Sequence, residues 1–351
     1  MKKFIFSEKK PAEAEDFLGL LGEKPYRAAQ VHDWIFKKNV FEFSGMSNLP
    51  KTLIPRLEKE AAILALELEE RRISKKDGTR KYLFVLEDGN TVEAVLLPAR
   101  DRVTVCLSTQ VGCPLGCIFC ATGMHGFRRN LKAGEIVSQY LYMNRDFIRD
   151  AGRKVTNIVI MGMGEPFLNF GELEKSLVAF SASWGAAIPE KKITVSTSGI
   201  VTGIQRFTNL PGRYKLSISL HSAYDDKRRQ LLPVNKKYSL NKVLSAVGEY
   251  VQKKNEIVTF QYLMIRNVND TVNDALKLAE ILENIKCTVN LIIYNKIKGL
   301  PFDKPSEPAI AKFMNTLQSR GIFVKRRRSL GEDIDSGCGQ LRAGKMCDKS
   351  Q

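Results

Sequence analysis

The sequence predicts an α/β fold: a partial (β/α)6, TIM-like barrel that carries an N-terminal helical domain and a β-hairpin extension. Three observations lead there. From Val103 onward six strand-like runs alternate with six helix-like segments, the pattern of a parallel sheet with helical crossovers. Six units fall short of the eight that close a barrel. The strands are also two-faced: Val103, Val105 and Leu107 oppose Thr104, Cys106 and Ser108, Ile193 and Val195 oppose Thr194 and Ser196, and Leu216, Ile218 and Leu220 oppose Ser217, Ser219 and His221. A doubly wound sheet is covered on both sides and reads as continuous apolar runs. The polar face is therefore expected to line an open interior that admits a bulky substrate.

In chain order, helical spacing places helices at 12–21, 27–37 and 51–64, the second with Val31, Trp34 and Ile35 on one face. A basic, turn-containing stretch at 71–81 leads into strand-like runs at 82–87 and 91–97, separated by Asp88-Gly89-Asn90, a hairpin signal. The barrel strands fall at 103–108, 155–161, 192–196, 215–221, 257–264 and 288–293. Their helices fall at 133–149, 171–182, 200–207, 240–253, 271–285 and 306–319, and Leu240, Val243, Leu244, Val247 and Val251 give the fourth a continuous apolar face.

At 351 residues the chain can bury a full core, and 44% hydrophobic with 26% charged residues excludes disorder and collagen-like repeats. The N-terminus lacks the apolar core of a signal peptide, and no run approaches the roughly 18 apolar residues of a membrane span. A cytoplasmic protein without membrane contact is expected. The balance of 55 Lys+Arg against 38 Asp+Glu, a net +17, suits a polyanion such as nucleic acid.

Seven cysteines, three of them in Cys113-x3-Cys117-x2-Cys120 after the first barrel strand, do not form a secreted disulfide framework. The spacing brings three thiolates to one point. A structural zinc site takes four ligands, usually as C-x2-C pairs, and there is no second pair here. An iron–sulfur cubane held by three cysteines keeps one iron open to a ligand. A zinc loop completed by His125 or a distant cysteine is the competing reading. Gly162, Gly164 and Glu165 follow the second barrel strand, where glycines let backbone approach a ligand and a carboxylate can take an ammonium. Cys338 lies in a Gly-rich loop, the setting of a reactive rather than a core thiol. Cys287 and Cys347 read as incidental thiols.

These pieces resemble the RlmN/Cfr family of radical S-adenosylmethionine RNA methyltransferases. The resemblance spans nearly the whole chain and rests on Gln110-Val-Gly-Cys113, Gly126-Phe-Arg-Arg-Asn130-Leu131, Met161-Gly-Met-Gly-Glu165-Pro166, Ser219-Leu-His221 and Asp333-Ile-Asp-Ser-Gly-Cys338-Gly-Gln-Leu341. It implies a radical S-adenosylmethionine core at 101–330, an RNA-binding helical domain at 1–80, a hairpin extension at 81–100, and a catalytic cysteine loop and tail at 331–351. It implies a [4Fe-4S] cluster on Cys113, Cys117 and Cys120, and two S-adenosylmethionine molecules per turnover. Gly164, Glu165, Ser196, Ser219, Leu220, His221 and Asn295 would hold the cofactor. Cys338 would be methylated and carry the transferred carbon, Cys106 would resolve it by forming a disulfide, and Glu93 would accept a proton.

The implied reaction methylates carbon 2 of an adenine in 23S rRNA and of the tRNA adenine 3′ of the anticodon, with electrons from an external flavodoxin-like donor and the enzyme a monomer. Cfr-type methylation of carbon 8 is the near alternative, and a zinc-stabilised RNA-binding protein without catalysis the remote one. The chain departs from the family at Asn295-Lys296, usually Asn-Pro, and at Ser336-Gly337, usually two alanines.

Overall fold

The computed structural model describes residues 3–297 and 299–341; the tail beyond, with Cys347, lies outside the described residues. Its centre is one ten-stranded sheet. Numbered along the chain, the strands are β1 (Leu66–Ile73), β2 (Arg80–Leu86), β3 (Thr91–Pro98), β4 (Val103–Leu107), β5 (Asn157–Ile160), β6 (Ile193–Thr197), β7 (Lys215–Ser219), β8 (Val258–Met264), β9 (Cys287–Ile293) and β10 (Val324–Arg327). Spatial order follows chain order from β1 to β10, so the sheet does not close on itself. From β4 to β10 all pairs are parallel, while β1 to β4 run antiparallel as a meander. All six expected barrel strands and all six helices are present within a few residues of their expected ends.

The strand register bears out the two faces. Val105 aligns with Ile158 and Ile158 with Ile193, all fully buried against helices. On the interior face Cys106 aligns with Val159, Ser196 with Ser217, Ser219 with Gln261, and Ile292 with both Leu263 and Arg327. Side chains alternate along a strand, so each of these rows lies on one side of the sheet.

Two strands differ from expectation, and both are edges. β1 begins where the third helix was expected to end: that helix covers only Ile54–Glu60, and Ala61–Ala62 pairs instead with Phe4–Ile5. The stretch at 71–81 is the end of β1 and a tight turn into β2. β10 adds a seventh parallel strand. Edge strands carry charge to block further pairing, and β1 has its Glu and Arg residues and β10 its Lys-Arg-Arg.

The N-terminal module holds helices Pro11–Leu20 and Tyr26–His32, the latter continuing as a π-helical turn over Asp33–Lys37. Phe6, Leu18, Val31, Ile35 and Leu57 are buried in the same core as the barrel's outer face. Helix Ala133–Ala151 anchors the hairpin extension, since its Asp146 accepts from Arg71 (2.5 Å), Arg80 (3.0 Å) and the Tyr82 hydroxyl (2.6 Å). No helix among the described residues is long and apolar enough to cross a membrane.

Candidate active site

A cavity of about 160 Å³ opens at the C-terminal ends of the parallel strands. Cys113, Cys117 and Cys120 line it together with Gly164, Glu165, Ser196, Ser219 and His221, and with Arg327 and Cys338. The cysteine loop leaves β4 through a two-residue turn, and a short ladder between Gln110–Gly112 and Phe127–Asn130 closes its base. At Gly112 (φ 74°) an added Cβ would lie 1.9 Å from the Gly126 carbonyl, so this closure requires glycine.

Among the described residues no three His, Cys, Asp or Glu side chains stand close enough together to hold a metal ion as they are. The three thiols nevertheless face one space. Burial pushes Cys113 up to about 12 and Cys117 well above the thiol range, as expected for thiols whose ionisation awaits a cation. His125 is exposed and is not among the residues that line the cavity, which lends no support to a zinc loop completed by it. Three soft donors and several polar side chains lining one cavity fit an iron–sulfur cluster with one iron left for a ligand.

Glu165 is buried and rigid. Its oxygens accept from the Phe167 N–H (3.1 Å) and the Ser198 N–H (2.8 Å), and its own N–H donates to Gln110 Oε1 (2.8 Å). Burial raises its pKa, and these donors oppose the rise. Gly162 and Gly164 both line the cavity, and the chain itself requires them as well. A Cβ on Gly162 would meet the Leu107 carbonyl at 2.7 Å, and one on Gly164 (φ 102°) would meet the Gln110 N at 2.9 Å. They let the turn pass against the chain's own exit from β4.

His221 also has a structural duty. It sits at φ 59°, its Nδ1 accepts from the Leu263 N–H (3.0 Å), and its carbonyl accepts from Asn269 (2.7 Å). Burial pulls its pKa down to about 3, so the ring is neutral with its proton on Nε2. Leu220 is fully buried and contributes backbone, and Asn295 lies under the Cys338 loop rather than in the cavity wall: Ser329 Oγ donates to it at 3.0 Å.

Sequence reasoning missed Arg228. Nothing in the run Asp225-Asp-Lys-Arg-Arg signals burial, yet Arg228 is fully buried and donates to the carbonyls of Ser198 (2.7 Å), Ser219 (3.3 Å) and Leu220 (3.1 Å) and to Asn235 (2.5 Å). One guanidinium thereby ties together the ends of β6 and β7. Burial lowers its pKa to about 10.

Cys338 is exposed on its loop, and Cys106 lies half-buried beneath it. Burial first, and Cys338 second, push the Cys106 thiol up to about 12, while Arg327 opposes them. Arg327 is held protonated by Cys338 and Cys106. Arg327 thus stands with two thiols. Glu93 is 5% exposed, which excludes a solvated outer-face carboxylate, and it pairs with Lys81 at 2.9 Å. The departures from the family sequence are accommodated. Ser336 Oγ donates to the Gly331 carbonyl (3.0 Å), a Cβ at Gly337 would crowd Asn295 Nδ2 at 2.5 Å, and Lys296 reaches Asp303 at 2.6 Å.

Comparison with known proteins agrees with this geometry. The Radical SAM superfamily profile matches residues 107–279, and that of the ribosomal RNA large subunit methyltransferase N-terminal domain matches 8–63. A probable dual-specificity RNA methyltransferase RlmN of Thermotoga neapolitana is 46% identical over 92% of this chain and 92% of its own. One from Clostridioides difficile is 40% identical over 97% and 98%. A radical SAM methyltransferase of Sphaerobacter thermophilus superposes with a TM-score of 0.94 at 41% identity, covering 97% of this chain and all of that one. With 40–46% identity over 92–97% of its length, the chain belongs to the RlmN family of radical S-adenosylmethionine RNA methyltransferases.

Proposed function

We propose that this enzyme methylates carbon 2 of an adenine in 23S rRNA and of the adenine 3′ of the tRNA anticodon, working in the cytoplasm as a monomer with electrons from a flavodoxin-like donor. The observation that carries the reading is a single cavity that brings together the three cysteines of the β4 loop, Glu165 and Cys338. The relatives' name, dual-specificity RNA methyltransferase, supports two RNA substrates, and their RlmN assignment favours carbon 2 over carbon 8. A zinc-stabilised binding protein without catalysis is set aside by family membership.

Cys113, Cys117 and Cys120 would hold the [4Fe-4S] cluster. Gly164, Glu165, Ser196, Ser219, Leu220, His221 and Asn295 would hold S-adenosylmethionine, with the Glu165 carboxylate retaining lone pairs for its ammonium. When bound, cluster and cofactor supply the methyl group, the radical that takes one hydrogen atom from it, and a site that receives one electron back when the ring regains aromaticity. Cys338 Sγ carries the carbon to the ring, and Glu93 accepts the ring proton. The Cys106 thiolate then attacks Cys338 Sγ: the S–S bond forms, the S–C bond breaks, and its electron pair stays on carbon and takes a proton to complete the methyl. A transient disulfide of this kind is compatible with a reducing compartment.

The test is mass spectrometry of nucleosides from rRNA fragments and tRNA treated with reconstituted enzyme, against standards methylated at carbon 2 and carbon 8. Methylation at carbon 2 in both RNAs is expected, and none with Cys338→Ala. Methylation at carbon 8, or multiple turnovers by Cys338→Ala, overturns the reading.

A further inference from the structure

We propose that Lys81 is a positioning residue for this reaction: its ammonium joins the Glu93 carboxylate to the backbone of the Cys338 loop, so that Glu93 is held as a carboxylate when that loop is seated. The proposal rests on the reading of Glu93 as proton acceptor and Cys338 as carbon carrier.

The geometry begins with the register of β2 and β3. Lys81 aligns with Val95 and Glu93 with Leu83, which makes Lys81 and Glu93 diagonal neighbours on one face. Val95 in turn aligns with Cys106, so this is also the face of the resolving thiol. Lys81 Nζ stands 2.9 Å from Glu93 Oε1 and donates to the Asp335 carbonyl at 3.1 Å, three residues before Cys338. Both side chains of the pair are under a tenth exposed.

A buried ion pair is a poor device for stability, because desolvation cancels most of its attraction. Its chemical effect is larger: a buried carboxylate without a cation takes a proton. Arg72 on β1 feels Glu93 and Asp335, but it is 53% exposed and held by Glu70. Glu70 is near enough to feel Lys81 and is itself half-exposed. Met163, which meets the Glu93 N–H at 3.3 Å, is uncharged. Arg327 stands with Cys106 and Cys338.

The hairpin that carries Lys81 also grips the loop. Ser74 Oγ donates to Asp333 Oδ1 (2.7 Å), the Lys75 N–H to Asp333 Oδ2 (3.2 Å), and the Gly331 N–H to Asp77 Oδ2 (2.8 Å). Beyond Cys338, the Ala121 N–H donates to the Gly339 carbonyl at 2.8 Å and Thr122 Oγ1 to that of Leu341 at 2.6 Å. The loop is therefore fastened on one side to the turn between β1 and β2 and on the other to the cysteine loop. Lys81 is the one of these contacts that also touches the proton acceptor. In the step concerned the ring C–H bond breaks, its proton passes to Glu93 and its electron pair returns to the ring.

Reconstituted Lys81→Met, Lys81→Arg and Glu93→Gln enzymes are compared with wild type on an RNA substrate. Methylated product is followed as a function of pH, and RNA joined covalently to Cys338 is followed on denaturing gels. Lys81→Met is expected to turn over about 100-fold more slowly at neutral pH, to accumulate the covalent RNA adduct as Glu93→Gln does, and to regain rate as pH rises and Glu93 ionises. Lys81→Arg should keep the wild-type pH profile. If Lys81→Met does not fold, Lys81→Gln, which keeps a donor without the charge, replaces it with the same expectation. A wild-type rate and pH profile in the neutral variant, beside a stalled Glu93→Gln, overturns the role of Lys81. Wild-type turnover by Glu93→Gln overturns the proton-acceptor reading, and this proposal with it.

Discussion

Gly162 shows how a side chain's absence can fix a site. The turn after β5 crosses the exit of β4 so closely that a methyl group on Gly162 would lie 2.6 Å from Ser108 Oγ and 2.7 Å from the Leu107 carbonyl. Ser108 cannot easily retreat, because its hydroxyl donates to the Glu93 carbonyl (2.6 Å) and accepts from the Met163 N–H (2.8 Å). Gly162→Ala is therefore expected to destabilise the protein by about 2–3 kcal/mol through overpacking and to weaken S-adenosylmethionine binding by displacing Glu165. Urea unfolding and equilibrium dialysis of the cofactor check the two effects. An unchanged midpoint would show that the β4 exit yields. The sequence marked this turn as glycine-rich, but it did not show that the partner of the close approach is the chain itself. Arg228 was illegible for a related reason: a buried guanidinium and a solvated one look alike until the carbonyls around it are known.

At the scale of elements, the hairpin extension depends on one carboxylate. Asp146 accepts from Arg71, Arg80 and Tyr82, and its pKa is lowered because these donors outweigh the desolvation that raises it. A depressed carboxylate contributes stability that is present above its unfolded value of about 3.9 and is lost as pH falls through the folded value. The extension should thus loosen in acid, at pH below about 4, before the parallel strands do. Asp146→Ala should cost about 3 kcal/mol at neutral pH, since it leaves Arg80 buried with only Asp150 beside it. Hydrogen exchange resolved by peptide checks both; equal protection of 66–98 and of the barrel strands across that pH range would refute the first. The parallel strands were legible because each is internal, with an apolar face and a polar face that alternate. The two edges were not, because β1 and β10 bury too little on either side to leave a period and carry the charge that protects an edge.

For the whole molecule the question is where a net charge of +17 acts. Internal pairing leaves that net value unchanged but decides which cations can meet a phosphate. Arg71 and Arg80 are committed to Asp146 and Asp150, Arg129 to Glu135 and Asp88, and Arg326 to Glu307. Arg129 and Arg327 are thus engaged within the protein. Lys24 on the helical module and Lys325 on β10 are exposed and belong to two separate elements. If an RNA spans both, each contributes to one counterion-release slope. With about five phosphates neutralised on single-stranded RNA, the logarithmic slope is about −3.5, a loss of about 100-fold in affinity between 50 and 200 mM salt. Lys24→Ala and Lys325→Ala should each make that slope shallower by about 0.7 and weaken all RNA sequences alike, whereas discrimination among bases, which depends on RNA shape and an extruded adenine, should stay as it was. Fluorescence anisotropy across a salt series separates these outcomes. A slope near zero would mean that the positive surface does not hold RNA, and a slope altered by Lys325→Ala alone would confine binding to the barrel mouth and remove the helical module from the interface.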